Sequence, residues 1–364
     1  MVIAVLTPFI QPGTEGPEAD YFREVLPRLV RQHPEHRFLL LSGYAWVRGE
    51  VMPPGNWELI TTAPRGRHFL FWKYWLNYTL PRLLRKGGAD VLLSFSGLAP
   101  EKAGLPVCLF LPFEGHGPLS LPGTVPAGVQ RWLKGPRLKT LTGQAGAVAT
   151  VLPAGTAGGW VATGRALPAG GALDWEERAD IQLEQTGGRE YFLYTGPLNA
   201  GPDLVGLLKA YSLFKKRQKS GLKLVLAGPA GSGAEALKSL LGTYKYRDDV
   251  QVLHPAPGVK ADLVSAAYAL VRLRDGGAGA EDAPFAFRSD VPVLAASGSA
   301  AARFGEEAVR VFGPEDGGEA LMEVYRDERR RARLIGAGRA AVADWSWETA
   351  ADRLWIAVQE AAQR

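Results

Sequence analysis

The sequence predicts an α/β protein made of two parallel-sheet domains, and three observations carry that expectation. The chain has 364 residues, more than one ordinary hydrophobic core organises, so it should divide in two. Short apolar runs such as "VIAVLT", "RFLLLS", "LKLVLAG" and "VPVLAA" alternate with amphipathic stretches, the pattern of strands covered by helices on both faces. The strand–helix order then repeats after a segment rich in Gly, Pro and acid at 153–190, read as the linker. The expected fold is two Rossmann-like domains facing across a cleft. Ligands of such sheets bind beyond the carboxyl ends of the strands.

Each element follows in order. "VIAVLT" leads through a turn at Gly13 and Gly16 into a helix, "EADYFREVLPRLVRQ". Then come "RFLLLS", an aromatic helix near 68–86, "ADVLLSF", "LPVCLFLP" and "GAVATVL". In the second half "REYFLYTG" precedes a helix expected to open at Asp203 as N-cap. Leu204, Leu207, Leu208, Tyr211 and Phe214 fall on one face of it at the helical period. "LKLVLAG", a Gly-rich turn, a helix from 233, "VQVLH", a helix from 261, "YALVRL", "VPVLAA" and "AVRVF" complete the second series. A long helical tail spans 317–363. The expected domains are 1–170 and 171–345. A C-terminal helix at 346–364 is expected to cross back to the first.

Composition narrows the function. Hydrophobic residues make up 46% and charged residues 22%, as in a soluble globular protein. A single cysteine, Cys108, excludes an internal disulfide framework and fits a reducing compartment. "MVIAVLTPF" lacks the basic region of a leader and reads as a first strand. No stretch supplies the ~18 apolar residues of a membrane span. The expected location is cytoplasmic, with peripheral attachment at the inner face of the membrane left open. Residues 1–173 carry 17 Lys and Arg against 10 Asp and Glu, while the remainder carries 25 against 27. An anionic partner therefore belongs to the first half. No nucleic-acid module surrounds these cations, so nucleic acid is not expected as a partner. The five His and one Cys show no ligand spacing, so no metal and no cofactor are expected.

"RGRHFLFWKYWLNYTLPRLLRK" (65–86) has two readings. Lys73, Asn77, Arg82 and Arg85 form a narrow polar stripe beside Trp72, Tyr74 and Trp75. Such a helix suits an anionic membrane surface, with its aromatics at headgroup depth. The plainer alternative is a helix buried between the sheet and a neighbour.

"YFLYTGPLNAGPDLVGLLKAYSLFKKRQKSGLKLVLAGPAGSG" resembles the opening of the donor domain in GT-B glycosyltransferases of the retaining, nucleotide-sugar-dependent family 4 (glycosyl transferases group 1). "GEEAVRVFGPEDGGEALMEVYRDERRRARLIGAGRAAVADWSWETAADRLW" resembles that domain's closing strand and last helices. "VPVLAAS" is similar to the strand after its donor loop, and "FWKYWLNYTLPRLLRKGGADVLLSFSGLAP" and "GAVATV" to acceptor-domain segments. The resemblance spans nearly the whole chain. It implies a GT-B fold and metal-independent transfer of a sugar from a UDP- or GDP-linked donor to an envelope glycan or lipid-linked acceptor.

The site residues depart from that family. Its diphosphate-neutralising Arg and Lys fall on Gly201 and Pro202. Its two donor-gripping Glu fall on Gly277 and Phe285, counted back from "VPV". None of the four offers a hydrogen-bonding side chain. Losing two phosphate cations costs ~3–6 kcal/mol, about 10²–10⁴ in affinity. The carboxylates add a similar order. Where the family has His-Asp this chain has Pro112-Phe113-Glu114, and Leu152-Pro153-Ala154-Gly155 replaces Ser-Glu-Phe-Ser. The resemblance therefore implies a degenerate donor site. A non-catalytic pseudoenzyme, binding or scaffolding for a protein partner, stands beside the active transferase.

Other candidates remain open. Arg272, Arg274 and Arg288 border the donor loop and are candidate replacement cations. The plainer reading pairs them with Asp275, Glu281 and Asp282 at the surface. Gly196 and Gly228, in the turns after two second-half strands, are candidate donor-binding positions, as are Gly13 and Gly16. Glu114 and His116 are candidates for a polar pair in the cleft.

Overall fold

The computed structural model describes all residues except 9, 11–16, 45–54, 64–68, 96–97, 112–143, 152–159, 165–166, 168–170, 230–232 and 275–280. The chain divides into two compact units, Met1–Ala166 with Trp345–Arg364, and Leu167–Asp344.

The first unit holds a parallel sheet of seven strands: β1 (Val2–Thr7), β2 (Arg37–Ser42), β3 (Trp57–Thr61), β4 (Val91–Ser94), β5 (Val107–Phe110), β6 (Ala147–Thr150) and β7 (Trp160–Ala162). They lie in the order β3-β2-β1-β4-β5-β6-β7. β1, β4, β5 and β6 are buried almost throughout, as strands covered on both faces must be. Helix α1 (Pro17–Gln32) follows β1. Its Tyr21 hydroxyl is buried and bonds Thr163 and the carbonyl of Gly164. Thr163 Oγ1 donates to the Thr150 carbonyl at 2.9 Å.

The aromatic segment forms α2 (Phe69–Tyr74), a π turn (Trp75–Thr79) and α3 (Leu80–Gly87). Pro81 accounts for the π turn. It has no N–H for the carbonyl one turn back, and its ring crowds that carbonyl. The wider turn accommodates this, and Asn77 there uses its side-chain oxygen to accept Glu101 N–H at 2.9 Å.

The second unit holds β8 (Tyr191–Thr195), β9 (Lys223–Ala227), β10 (Val250–Leu253), β11 (Ala269–Arg272), β12 (Val293–Ala296) and β13 (Val309–Phe312), all parallel, in the order β10-β9-β8-β11-β12-β13. Between them run α5 (Pro202–Gln218), α6 (Ala234–Gly242), α7 (Pro257–Ser265) and α8 (Asp282–Arg288), preceded by α4 (Trp175–Thr186). α9 (Gly317–Arg326) and α10 (Glu328–Ala341) close the unit. The strand order reverses between β8 and β11, the position where such sheets leave a crevice. The core joins Phe192, Tyr211, Phe214, Leu294 and Leu321, so the face read from the sequence of α5 is the buried one.

Several boundaries differ from the sequence expectation. β3 and β7, the edge strands of this first sheet, escape the apolar-run criterion: β3 is only partly buried and interleaves Glu58 and Thr61 with its apolar residues, and β7 has three residues. The expected linker contains β7 and α4, the latter fixed by a capping box between Asp174 and Glu177. Gly201, not Asp203, caps α5, because Pro202 takes the first helical position. α7 likewise opens earlier, at Pro257. The tail is three helices, broken where Asp327 and Ser346 accept backbone N–H groups to start α10 and the last helix.

That last helix, α11 (Trp347–Ala362), packs on α1 and on β4–β7 of the first unit. It buries Leu354, Trp355, Val358 and Ala361. Contact is closest at Gly146, where an added Cβ would lie 2.8 Å from Ala361 Cα. Gly146→Val should therefore lower the urea midpoint by the equivalent of about 1–3 kcal/mol. An unchanged midpoint would mean that α11 yields freely at this contact.

Candidate functional site

Three turns meet at the carboxyl edge of the second sheet. Gly196 N–H donates to Ala227 O at 3.1 Å, Leu198 N–H to Pro229 O at 3.0 Å, and Gly228 N–H to Leu253 O at 3.1 Å. The turns after β8, β9 and β10 are thus tied in sequence by backbone. A Cβ on Gly228 would sit 1.9 Å from the Gly196 carbonyl oxygen, so this crossing admits only glycine there. His254 Nδ1 lies 2.7 Å from the Gly228 carbonyl. A carbonyl only accepts, so Nδ1 carries a proton in this contact.

These turns border a cavity of 390 Å³ lined by Gly196, Pro197, Gly228, His254, Pro255 and Lys260. That volume suits a small ring system such as a nucleoside. Its chemistry is sparse: backbone, proline faces, one imidazole and one ammonium. Among the described residues that line it there is no carboxylate, hydroxyl or thiol side chain.

Beside the cavity lies a buried charge cluster. Arg272, at the end of β11, is 2% exposed. Its Nη1 donates to Thr195 Oγ1 at 2.6 Å and to the Thr195 carbonyl, so the guanidinium bridges the strand-order reversal. Asp282 Oδ2 lies 3.7 Å from Arg272, within ion-pair range but longer than a hydrogen bond, and it has no hydrogen-bond partner. Asp282 Oδ1 pairs with Lys260 Nζ at 2.7 Å. One carboxylate thus serves two cations.

The other expected cations are engaged as well. Arg274 is exposed and bonds Asp203 at 2.6 Å, which raises its pKa further. Arg288 is exposed and donates to the Leu167 carbonyl at 3.3 Å. Of the pairing expected with Asp275, Glu281 and Asp282, the Arg272–Asp282 pair is present, but buried rather than at the surface. Arg274 and Arg288 engage Asp203 and the Leu167 carbonyl, and Asp275 lies outside the described residues. Gly201 donates its N–H to Asn199 Oδ1 at 3.0 Å and precedes Pro202 at the start of α5. Phe285 is buried in α8. Gly13, Gly16, Glu114, His116 and Gly277 lie outside the described residues.

The structure therefore brings Gly196 and Gly228 together at one cavity, with Arg272 packed next to it. It adds His254 and Lys260, which the sequence reading left out. Their signal was position, since His254 directly follows β10 and Lys260 lies in the first turns of the next helix. Asp282→Ala should cost about 3–5 kcal/mol of stability, because it removes a buried carboxylate that serves both Arg272 and Lys260. Chemical denaturation reads this directly, and a loss below ~1 kcal/mol would show that the cluster does not depend on this carboxylate.

No protein-family model matches the sequence, and no curated protein matches it. Solved structures do. Sucrose-phosphate synthase from Thermosynechococcus elongatus aligns over 99% of this chain and 98% of its own, with TM-score 0.62 and 16% identity. A glycosyltransferase from Rickettsia africae aligns over 99% and 98%, with TM-score 0.59 and 12% identity. Anabaena HepE, solved in complex with UDP, aligns over 99% and 100%, with TM-score 0.59 and 12% identity. At such identities the likeness is one of fold: the two parallel-sheet units are those of the GT-B glycosyltransferase fold.

Proposed function

We propose that this chain is a nucleotide-sugar-binding protein of the retaining family 4 class whose donor site is too depleted to turn over ordinary donors. Its ancestral task is metal-independent transfer from a UDP- or GDP-linked sugar to an envelope glycan or lipid-linked acceptor. The carrying observation is the disposition of charge at the carboxyl edge of the second sheet. A nucleoside-sized cavity persists there, but Arg272, Arg274 and Arg288 are all held by protein groups. Lys260 is the cation that lines the cavity, and it is shared with Asp282. HepE, of like fold, takes UDP, which supports the cavity as the nucleoside end of the site.

The buried Phe285 and the Gly201–Pro202 pair favour a binding or scaffolding role over turnover. A family member that binds near ~10 μM has about 7 kcal/mol to lose, and the missing groups account for most of it. Calorimetric titration should give UDP and GDP dissociation constants in the millimolar range or weaker, with sugar transfer undetectable. Gly201→Arg with Pro202→Lys should tighten nucleotide binding by about 10–100-fold. Among the described residues the Cβ required at residue 201 meets the Asn199 side chain, whose Oδ1 would lie at 2.7 Å and must shift. Phe285→Glu alone should not, since it adds a buried carboxylate without a partner. Micromolar binding by the unaltered protein would overturn the proposal.

A further inference from the structure

The helical segment from Phe69 to Gly87 divides its aromatics between two faces. Trp72 and Trp75, for which the sequence left a membrane surface and a buried helix as alternatives, are buried in the core of the first unit with Leu76, Leu80 and Leu84. Trp75 Nε1 donates to Thr62 Oγ1 at 3.0 Å. The opposite face is the unusual one. Phe71, Tyr74 and Tyr78 are 55%, 54% and 58% exposed, and Leu70 is 56% exposed. The Tyr74 and Tyr78 rings stack at 5.2 Å. With Thr61, Thr62 and Leu70 these rings border a groove of 1030 Å³. Lys73, Arg82, Arg85 and Lys86 are exposed on the same segment.

The geometry points to an anionic bilayer surface as the occupant of this face. Charge carries the choice. Between Glu58 and Asp90 the sequence has six cations (Arg65, Arg67, Lys73, Arg82, Arg85 and Lys86) and no acid. A soluble protein interface of ordinary composition would mix both signs, whereas a surface of phosphate headgroups selects one. Tyrosine suits headgroup depth because its ring is apolar and its hydroxyl stays wet. Leu70 to Lys86 spans about 25 Å at ~1.5 Å per residue, so aromatics and cations can lie along the membrane plane together. This inference stands apart from the donor-site proposal.

The test is sedimentation of the full chain with vesicles of phosphatidylcholine, alone or with about a third phosphatidylglycerol, at low salt and at about 0.5 M salt. Binding should require phosphatidylglycerol and be lost at high salt. Arg82→Gln, Arg85→Gln and Lys86→Gln together should weaken it about 100-fold, the loss expected for three surface cations. Cys108 is buried, and burial pushes its thiol up to about 12. A Phe71→Cys variant therefore takes an environment-sensitive dye at one site. The dye should shift to the blue on anionic vesicles, while one on Leu183→Cys, at an exposed position of α4, should not. Absence of binding at low salt, equal binding to neutral vesicles, or a dye at residue 71 still in water when vesicles bind would each overturn the inference. So would a response to soluble oligosaccharide without a response to vesicles.

Discussion

A guanidinium buried beside the strand-order reversal of a parallel sheet needs partners, and the second unit is organised around supplying them to Arg272. Taking such an ion out of water costs several kcal/mol unless its donors and charge are matched. Thr195 at the end of β8 accepts from it, Asp282 at the start of α8 sets a carboxylate against it, and Lys260 of α7 completes the cluster. Three elements are thereby held at one edge by charge as well as by apolar packing. The cation nearest the crevice is committed inward.

This commitment links structure to function. In a GT-B fold the carboxyl edge is where a phosphorylated ligand is expected, and unmatched positive charge there is what attracts it. Here the cavity persists because Gly196 and Gly228 cross at backbone distance, a steric matter independent of charge. Shape and electrostatics have separated. The first unit shows a different division: Pro81 and its π turn occur in a helix that buries one set of aromatics and exposes another. Its exposed aromatics accompany the cations Lys73, Arg82, Arg85 and Lys86, while Arg272, Arg274 and Arg288 of the second unit are engaged by protein groups.

Much of the fold was legible in the sequence because buried parallel strands write themselves as apolar runs, and eleven of the thirteen strands among the described residues did so. β3 and β7 did not, since an edge strand faces solvent along one side and needs fewer apolar residues. Cap positions were misread where a proline or an Asx side chain decided the first turn, as at Gly201 and Pro202. Among site residues, glycine turns were legible by their place after strands. The direction of Arg272 was not, because a sequence carries no record of which side of a sheet a terminal strand residue takes. For Trp72 and Trp75 the sequence left burial and a membrane surface as alternatives for a similar reason: aromatics of similar character lie on both faces of their helix, and burial is what the structure shows.

The central claim is that the second unit holds a nucleoside and leaves its phosphates ungripped. The direct measurement compares uridine with UDP, and guanosine with GDP, by chemical-shift titration of the unaltered protein at low salt. The account predicts that each diphosphate binds within about threefold of its nucleoside, a gap below ~0.7 kcal/mol. A diphosphate that binds 30-fold or more tighter than its nucleoside, about 2 kcal/mol, would contradict it.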